Sequence, residues 1–118
     1  MSGTITPLVR ALGLCARARG LIFGVPMICD AMRTKGKPRL VLMARDVSEN
    51  TRKRLQDKCS FYEVQLLQLP MDTTTLAHTV GKSASLGAVG LADENFCRLI
   101  LDAFQKETTD GQPAPDKE

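Results

Sequence analysis

Apolar residues fill positions 40–44, Leu-Val-Leu-Met-Ala, and this run constrains the fold of the chain more than any other feature. A strand with one face in water alternates apolar and polar side chains, whereas a strand buried on both faces is apolar throughout. The run therefore predicts a strand that is covered by helices on both sides of its sheet.

Helix-like and strand-like segments alternate around this run. Thr6 and Pro7 supply a capping hydroxyl and a proline at the first helical position, and Asp46 with Glu49 indicates a capping box. The alternation favours an α/β domain with helices layered on a small sheet. The predicted helices run from Pro7 to about Ala18, from Val25 to the basic turn 35–38, from Asp72 to Gly81 and from Asp93 to Phe104, and a further helix follows the capping box at 46–49. The predicted strands are 40–44, 63–69 and 87–91, with a short apolar stretch at 21–23.

The 118 residues suffice for one ordinary domain, which we expect to cover residues 1–104. Residues 105–118 lack hydrophobic periodicity and contain two prolines, so they are predicted to form a disordered polar tail. No apolar run approaches the ~20 residues of a membrane span, and the N-terminus lacks the pattern of a secretory signal. The expected location is the cytoplasm.

Charge is distributed unevenly along the chain. Residues 1–60 carry twelve Lys and Arg against four Asp and Glu, a net charge of +8, and the remaining residues bring the total to +3. Such a basic half indicates a polyanionic partner, such as nucleic acid, on one face of the protein.

The residue types used for catalysis and metal binding do not form a recognisable pattern. No two of the four cysteines have C-x-x-C spacing, and each falls in phase with apolar neighbours, so we expect reduced, buried thiols. The string Gly81-Lys82-Ser83 resembles the end of a P-loop, but Leu76 stands where that motif needs glycine, and the string follows a predicted helix. We expect no enzyme activity, no cofactor, no metal and no small-molecule substrate.

Three strings resemble the kink-turn-binding ribosomal-protein family, and within it the small bacterial YlxQ-like subgroup. They are LGLCARARGLIFG, KPRLVLMARDVSENTRKRLQDKC and HTVGKSASLGAVGLADENFCRLIL, and the resemblance covers about residues 6–104 in order. It implies a three-layer α-β-α sandwich around a small four-stranded mixed sheet. It also implies a surface for the sharply bent RNA called the kink-turn, or for ribosomal RNA.

In the resembling family, RNA is held by the motif G-x-N-E-x-x-K at the start of the second helix and by the loop after the fourth helix. Here the first segment is GVPMICD, so only its glycine matches, and R-A-G-K upstream is replaced by R-A-R-G. Pro26 also removes an amide that would meet a phosphate. The RNA-binding residues carried over by this resemblance are Arg17, Arg19, Gly24, Val25, Pro26, Met27, Asp30, Arg45, Lys82, Ser83 and Ala84.

Two interpretations remain open for the sequence. The first is a ribosome-associated, non-enzymatic RNA-binding protein with altered RNA specificity, for which the basic half of the chain argues. The second is a protein-interaction module on the same scaffold, with a ribosomal or other protein as partner. The loss of polar residues from GVPMICD argues for this second interpretation.

Overall fold

The computed structural model describes residues 6–110, with the side chains of residues 6–106. Helices and strands alternate within this range, as the sequence predicts. The helices are α1 (Pro7–Arg17), α2 (Val25–Ala31), α3 (Glu49–Tyr62), α4 (Thr73–Thr79) and α5 (Glu94–Asp110); the strands are β1 (Ile22–Phe23), β2 (Leu40–Met43), β3 (Gln65–Gln68) and β4 (Ala88–Leu91).

The four strands form one mixed sheet in the order β1-β4-β2-β3. Strand β2 runs parallel to β3, and β4 runs antiparallel to both β1 and β2. The predicted buried strand lies in the interior of the sheet, and all four of its residues are buried. The short apolar stretch before Gly24 becomes the edge strand β1.

Each face of the sheet carries its own hydrophobic core. Leu40 and Leu42 project into a core shared with α1, α4 and α5, whereas Val41 and Met43 project into a core shared with α2 and α3. The alternation of side chains along a strand produces this division. The α/β prediction, a three-layer α-β-α sandwich around a four-stranded mixed sheet, is therefore confirmed.

The capping residue of α3 differs from the prediction. Ser48, and not Asp46, precedes the helix, and its hydroxyl accepts a hydrogen bond from the Thr51 amide at 3.1 Å. Asp46 instead accepts a bond from the Thr73 amide at 2.8 Å, at the start of α4. The carboxylate caps a helix 27 residues away, which a local pattern does not reveal.

Two predicted boundaries also shift. Glu63 adopts a left-handed conformation (φ 59°) that ends α3, so β3 begins at Gln65 instead of residue 63. Helix α5 continues to Asp110, six residues beyond its predicted end at Phe104. Residues 105–110 of the predicted tail are therefore helical, and its remainder, 111–118, lies outside the described residues. None of the helices in the described range combines the length and apolarity needed to cross a membrane.

A Schellman motif ends α1 and explains where the sequence departs from R-A-G-K. The Gly20 amide donates to the Cys15 carbonyl at 2.8 Å and the Arg19 amide to the Ala16 carbonyl at 3.1 Å. Arg19 occupies the left-handed position (φ 60°) that usually favours glycine. A Cβ atom at position 20 would lie 2.3 Å from the Phe96 ring, so Phe96 requires glycine there.

All four cysteines are free and buried within the described domain, as predicted. Burial raises the pKa of the Cys15 thiol to about 11, with smaller contributions from Cys97 and Asp93, and burial likewise raises the pKa of Cys59 to about 11. Burial also raises the pKa of Cys97, whose sulfur lies 3.6 Å from the Leu91 carbonyl oxygen. Neutral thiols are thus favoured in the folded protein.

Substitutions at the end of α1 should have opposite effects on stability. Arg19→Gly should raise the free energy of unfolding by about 1 kcal/mol, because glycine enters the left-handed region without strain. Gly20→Ala should lower it by roughly 1–3 kcal/mol, because the added methyl group overlaps the Phe96 ring. Urea denaturation followed by circular dichroism measures both. Gly36→Ala is the matched control, because a Cβ atom there would make only an ordinary contact with Thr34, 3.6 Å from its Oγ1 atom. Equal stability of the two alanine variants would contradict the role of Phe96.

The buried thiols should make stability depend on pH in the alkaline range. Folding raises the pKa values of the Cys15 and Cys59 thiols. The contribution of these thiols to the free energy of unfolding is therefore complete below about pH 9 and is lost as the pH rises toward 11. Native protein at pH 8 should react slowly with a thiol reagent, and urea should release all four thiols. Rapid native labelling of two or more cysteines would contradict this description, as would an unchanged alkaline dependence in Cys15→Ala.

Candidate nucleic-acid interface

One edge of the sheet gathers loops that are distant in the sequence. Because β4 is antiparallel to β1 and β2, its start lies beside their ends: Phe23 pairs with Val89, and Met43 pairs with Ala88. Strand β3 ends at the same edge, since Gln68 also pairs with Met43. Helices α2, α3 and α4 therefore all begin at this edge, which places three helix N-termini close together.

Backbone hydrogen bonds of three consecutive residues connect the segments that meet at this edge. The Leu86 amide donates to the Thr73 carbonyl at 3.2 Å, and the Gly87 carbonyl accepts from the Ala44 amide at 2.8 Å. The Ala88 carbonyl accepts from the Gly24 amide at 3.0 Å. Residues 86–88 thus join the starts of α2 and α4 to the end of β2.

The three helix starts and the segment before β4 enclose a groove of about 400 Å³. A Cβ atom on Gly87 would lie 3.4 Å from Val47 and 3.8 Å from Val25, so the absence of a side chain at position 87 keeps the groove open between these two valines. The lining residues are Gly24, Val25, Pro26, Asp46, Val47, Ser48, Thr51, Thr73, Ser85, Leu86 and Gly87; we call this the α2 groove.

Lys82 is held beside the α2 groove by an aromatic ring. Its Nζ atom lies 4.2 Å from the centroid of the Phe23 ring, a cation–π contact, and Phe23 immediately precedes Gly24 of the groove. The preceding Gly81 (φ 82°) ends α4 in a Schellman motif, with the Lys82 amide bonded to the Ala77 carbonyl at 2.8 Å. These amides cap a helix C-terminus, so the Gly81-Lys82-Ser83 string is not a phosphate cradle.

The other predicted residues are distributed around this edge. Ser83 and Ala84 are exposed between Lys82 and the groove, and Met27 and Asp30 are exposed on α2 outside the groove lining. Arg17 lines a separate pocket of about 250 Å³ with Gly81, beside the end of α4. Arg19 is exposed where α1 ends. The structure therefore brings together Gly24, Val25 and Pro26, with Lys82 adjacent, and places the remaining residues around them.

Arg45 and two carboxylates occupy the start of α4. The Arg45 guanidinium lies 3.9 Å from Asp72, which also accepts a 2.8 Å hydrogen bond from the Thr75 amide. The hydrogen bond from the Thr75 amide is the largest cause that lowers the pKa of Asp72, and Arg45 adds to it. Asp46 bonds the Thr73 amide. Acidic side chains of the protein itself therefore already satisfy this helix N-terminus.

The start of α2 is arranged differently. Within the described residues no side chain caps it, because the capping position is Gly24 (φ 90°), and Pro26 lacks an amide hydrogen. Ile28 and Cys29 are buried beneath it, so Pro26, Met27 and Asp30 form its exposed surface. Of the three helix starts at this edge, only that of α2 lacks a capping side chain.

Sequence reasoning missed most of the groove lining. Ser48 and Thr51 come from α3, Thr73 from α4, and Ser85 from the segment before β4. Because these residues meet through the strand order, recognising them requires knowing that β4 lies between β1 and β2. The four hydroxyls are polar groups that can donate or accept hydrogen bonds.

The basic half of the chain is not gathered on a single face. Arg33, Lys35, Lys37 and Arg39 lie in the connection from α2 to β2, at the edge of the sheet opposite the α2 groove. The fold separates these four cations from Arg17 and Arg45, which belong to the same basic half of the sequence. Within residues 6–110, no three or more His, Cys, Asp and Glu side chains are grouped as metal ligands.

Solved structures share the architecture. A protein with unknown function from Bacillus halodurans C superposes with a TM-score of 0.75 and 28% identity, covering 86% of this chain and 99% of that one. A 15.5 kD RNA-binding protein from Giardia lamblia superposes with a TM-score of 0.67 over 85% of this chain and 83% of its own. At 14% identity, the second comparison shows the fold alone.

Sequence relatives identify the family of the chain. The chain is 31% identical to the RNA-binding protein YlxQ of Bacillus subtilis (strain 168), over 76% of this chain and 87% of the relative. It is 33% identical to the RNA-binding protein YlxQ of Enterococcus faecium, over 80% and 87% respectively. Residues 8–100 match the family model described as the ribosomal protein L7Ae/L30e/S12e/Gadd45 family. The chain therefore belongs to the ribosomal protein L7Ae/L30e/S12e/Gadd45 family and is similar to its YlxQ members.

Proposed function

We propose that this protein binds structured RNA at the α2 groove, without catalysing a reaction. The observation that carries the proposal is the meeting of two distant segments, 24–26 and 85–87, in one groove beside the Lys82 ammonium, which lies over the Phe23 ring. Two relatives that bear the name RNA-binding protein YlxQ support RNA as the ligand.

Electrostatics favour one side of the groove for the RNA backbone. Lys82 and Arg17 provide exposed positive charge near the end of α4 and the start of α2. On the other side, Asp46 lines the groove and Asp72 lies beside Arg45, and these carboxylates repel phosphate. Phosphates are therefore expected to contact the 82–85 segment and α2, with the groove hydroxyls closer to the sugars and bases.

The composition of α2 indicates which kind of recognition this surface supports. Reading base edges needs polar side chains with fixed donors and acceptors, and Pro26 and Met27 provide none. Backbone contacts need cations, which the sequence retains. We therefore propose recognition by charge and shape, with ribosomal RNA in the cytoplasm as the target and base-specific kink-turn reading reduced.

A second candidate function rests on the exposure of Met27. Met27 is 59% exposed and lies next to the exposed Pro26 and the half-buried Val25, so the start of α2 is unusually apolar for a surface. A flexible methionine beside proline and valine suits contact with an apolar protein surface. On this alternative, the same scaffold docks on a ribosomal or other protein instead of RNA.

Removing the charge of Lys82 tests the RNA proposal. Lys82→Gln should weaken binding to a structured RNA and reduce the slope of log affinity against log salt by about 0.9, the share of one phosphate contact on duplex-like RNA. Fluorescence anisotropy at several salt concentrations measures both quantities. Lys106→Gln removes an exposed charge from α5 and should leave the slope unchanged. Equal reductions in the two variants would mean that binding does not use the α2 groove.

Restoring the polar motif tests what limits kink-turn recognition. Asp30 lies three positions after Met27 and four after Pro26, and all three residues are exposed on α2. The triple variant Pro26→Asn, Met27→Glu, Asp30→Lys should gain at least tenfold preference for a kink-turn RNA over a straight duplex, because each new base-edge contact adds about 1–3 kcal/mol.

The single variant Asp30→Lys is the control for charge, and it should strengthen binding to both RNAs alike. Ile28 and Cys29 beneath the exposed residues are unchanged, so the triple variant should keep the fold. If it is folded and still does not prefer the kink-turn, the missing polar residues are not what limits recognition. That result would favour the protein-contact alternative.

A further inference from the structure

A second cationic surface lies at the edge of the sheet opposite the α2 groove. It consists of the four basic residues of the α2–β2 connection together with the aromatic residues that end α3. We call it the α3-end surface, and its members are Arg33, Lys35, Lys37, Arg39, Phe61 and Tyr62.

One hydrogen bond joins the two parts of this surface. The Lys37 ammonium donates to the backbone carbonyl of Tyr62 at 2.8 Å, at the C-terminus of α3. Beside it, Lys35, Lys37 and Arg39 line a cleft of about 540 Å³, together with Pro38, Glu63 and Ala92. That volume lies within the range of ~300–1,000 Å³ that is typical of ligand sites, so the cleft has room for a phosphate and its sugar.

Helix capping accounts for only one of the four cations. Lys37 caps α3, as expected for a basic side chain near a helix C-terminus. In the described part of the chain, the side chains of Arg33, Lys35 and Arg39 make no hydrogen bond or ion pair, and all three residues are exposed. The single carboxylate of the cleft, Glu63, leaves its lining with net positive charge.

Phe61 gives this cationic surface an exposed aromatic face. Phe61 is 78% exposed. Its ring forms a T-shaped pair with the Tyr62 ring, with centroids 4.9 Å apart and an interplanar angle of 85°. The inner side of α3 is formed by Leu55 and Cys59, so Phe61 adds nothing to the core. An edge-to-face pair covers at most one face of either ring, so the exposed Phe61 ring keeps a face for stacking.

We propose that the α3-end surface binds a single-stranded segment of RNA, with an unpaired base stacked on Phe61 and the adjoining phosphates on Arg33, Lys35 and Arg39. Positive side chains interleaved with an exposed aromatic ring are the elements by which proteins hold single strands without sequence preference. An acidic protein segment would use the cations but would have no need of the ring.

This surface is separate from the α2 groove. Helix α3 lines the groove with Thr51 in its first turn and reaches the second surface at Phe61, and its fourteen residues span about 21 Å. RNA held at one end of α3 therefore leaves the other end accessible. The inference does not depend on binding at the α2 groove, and the two surfaces together allow the protein to contact a structured element and an unpaired strand at once.

The test uses the full chain and a fluorescein-labelled ten-nucleotide oligouridine, which has no stable secondary structure. Phe61→Ala should weaken its binding about tenfold, because the base no longer stacks on a ring. Phe61→Tyr should keep the affinity, whereas Phe61→Leu, which retains apolar area without a π face, should not. Arg33→Gln with Lys35→Gln should lower the salt slope by about 0.7 for each phosphate that is no longer neutralised.

Two controls keep the result specific to this surface. Arg10→Gln with Lys106→Gln removes one arginine and one lysine from exposed positions on α1 and α5, and it should leave the affinity and slope unchanged. In a Lys82→Gln background, Phe61→Ala should still weaken oligouridine binding about tenfold, which separates this surface from the α2 groove. Thermal melting of every variant confirms that the fold is retained, which is expected because the altered residues are exposed.

Three outcomes would overturn the inference. The first is that Phe61→Ala and the Arg33/Lys35 variant bind oligouridine as tightly as the wild type does, or that only Lys82→Gln weakens this binding. The second is equal binding by Phe61→Leu and wild type, which would show that no base is stacked. The third is a polyglutamate peptide that binds as tightly as oligouridine and responds to the same variants, because the surface would then recognise acidic proteins.

Discussion

Three consecutive residues that lead into β4 determine how the candidate RNA-binding surface is assembled. Through backbone hydrogen bonds, Leu86, Gly87 and Ala88 join the start of α4, the end of β2 and the start of α2. A shift of β4 by one residue would exchange these partners and reverse which of its side chains face each core. The same segment therefore contributes both to the packing of the two cores and to the shape of the groove.

The fold presents its positive charge at two ends of α3. At one end three helices begin, and the protein's own carboxylates cap the start of α4, whereas Lys82 lies at the opposite side of the α2 groove. At the other end the loop 33–39 places cations against the C-terminus of α3. Positive charge is thus present at two surfaces, one concave with hydroxyl groups and one open with an aromatic ring.

The sequence predicted the features that depend on local periodicity. The apolar run 40–44 identified the buried strand, and the resemblance supplied the layer order that the structure confirms. Features that depend on distant partners could not be predicted. Asp46 pairs with Thr73, which no capping pattern reveals, and the lining of the groove follows from the strand order. The extension of α5 beyond Phe104 was missed because polar residues 105–110 carry no apolar periodicity, although they continue a packed helix.

The close approach of Gly20 and Phe96 also means that the residue at one of these positions restricts the residue that the other can hold. A basic side chain at position 20, as in R-A-G-K, requires a smaller residue or a differently placed ring at position 96, because the two side chains would occupy the same space. A basic residue at position 19 retains the charge, but the arginine must then adopt a left-handed backbone conformation. Positions 19, 20 and 96 are therefore expected to change together among related sequences, with a bulky aromatic ring in the last helix shifting the basic group of the first helix by one residue.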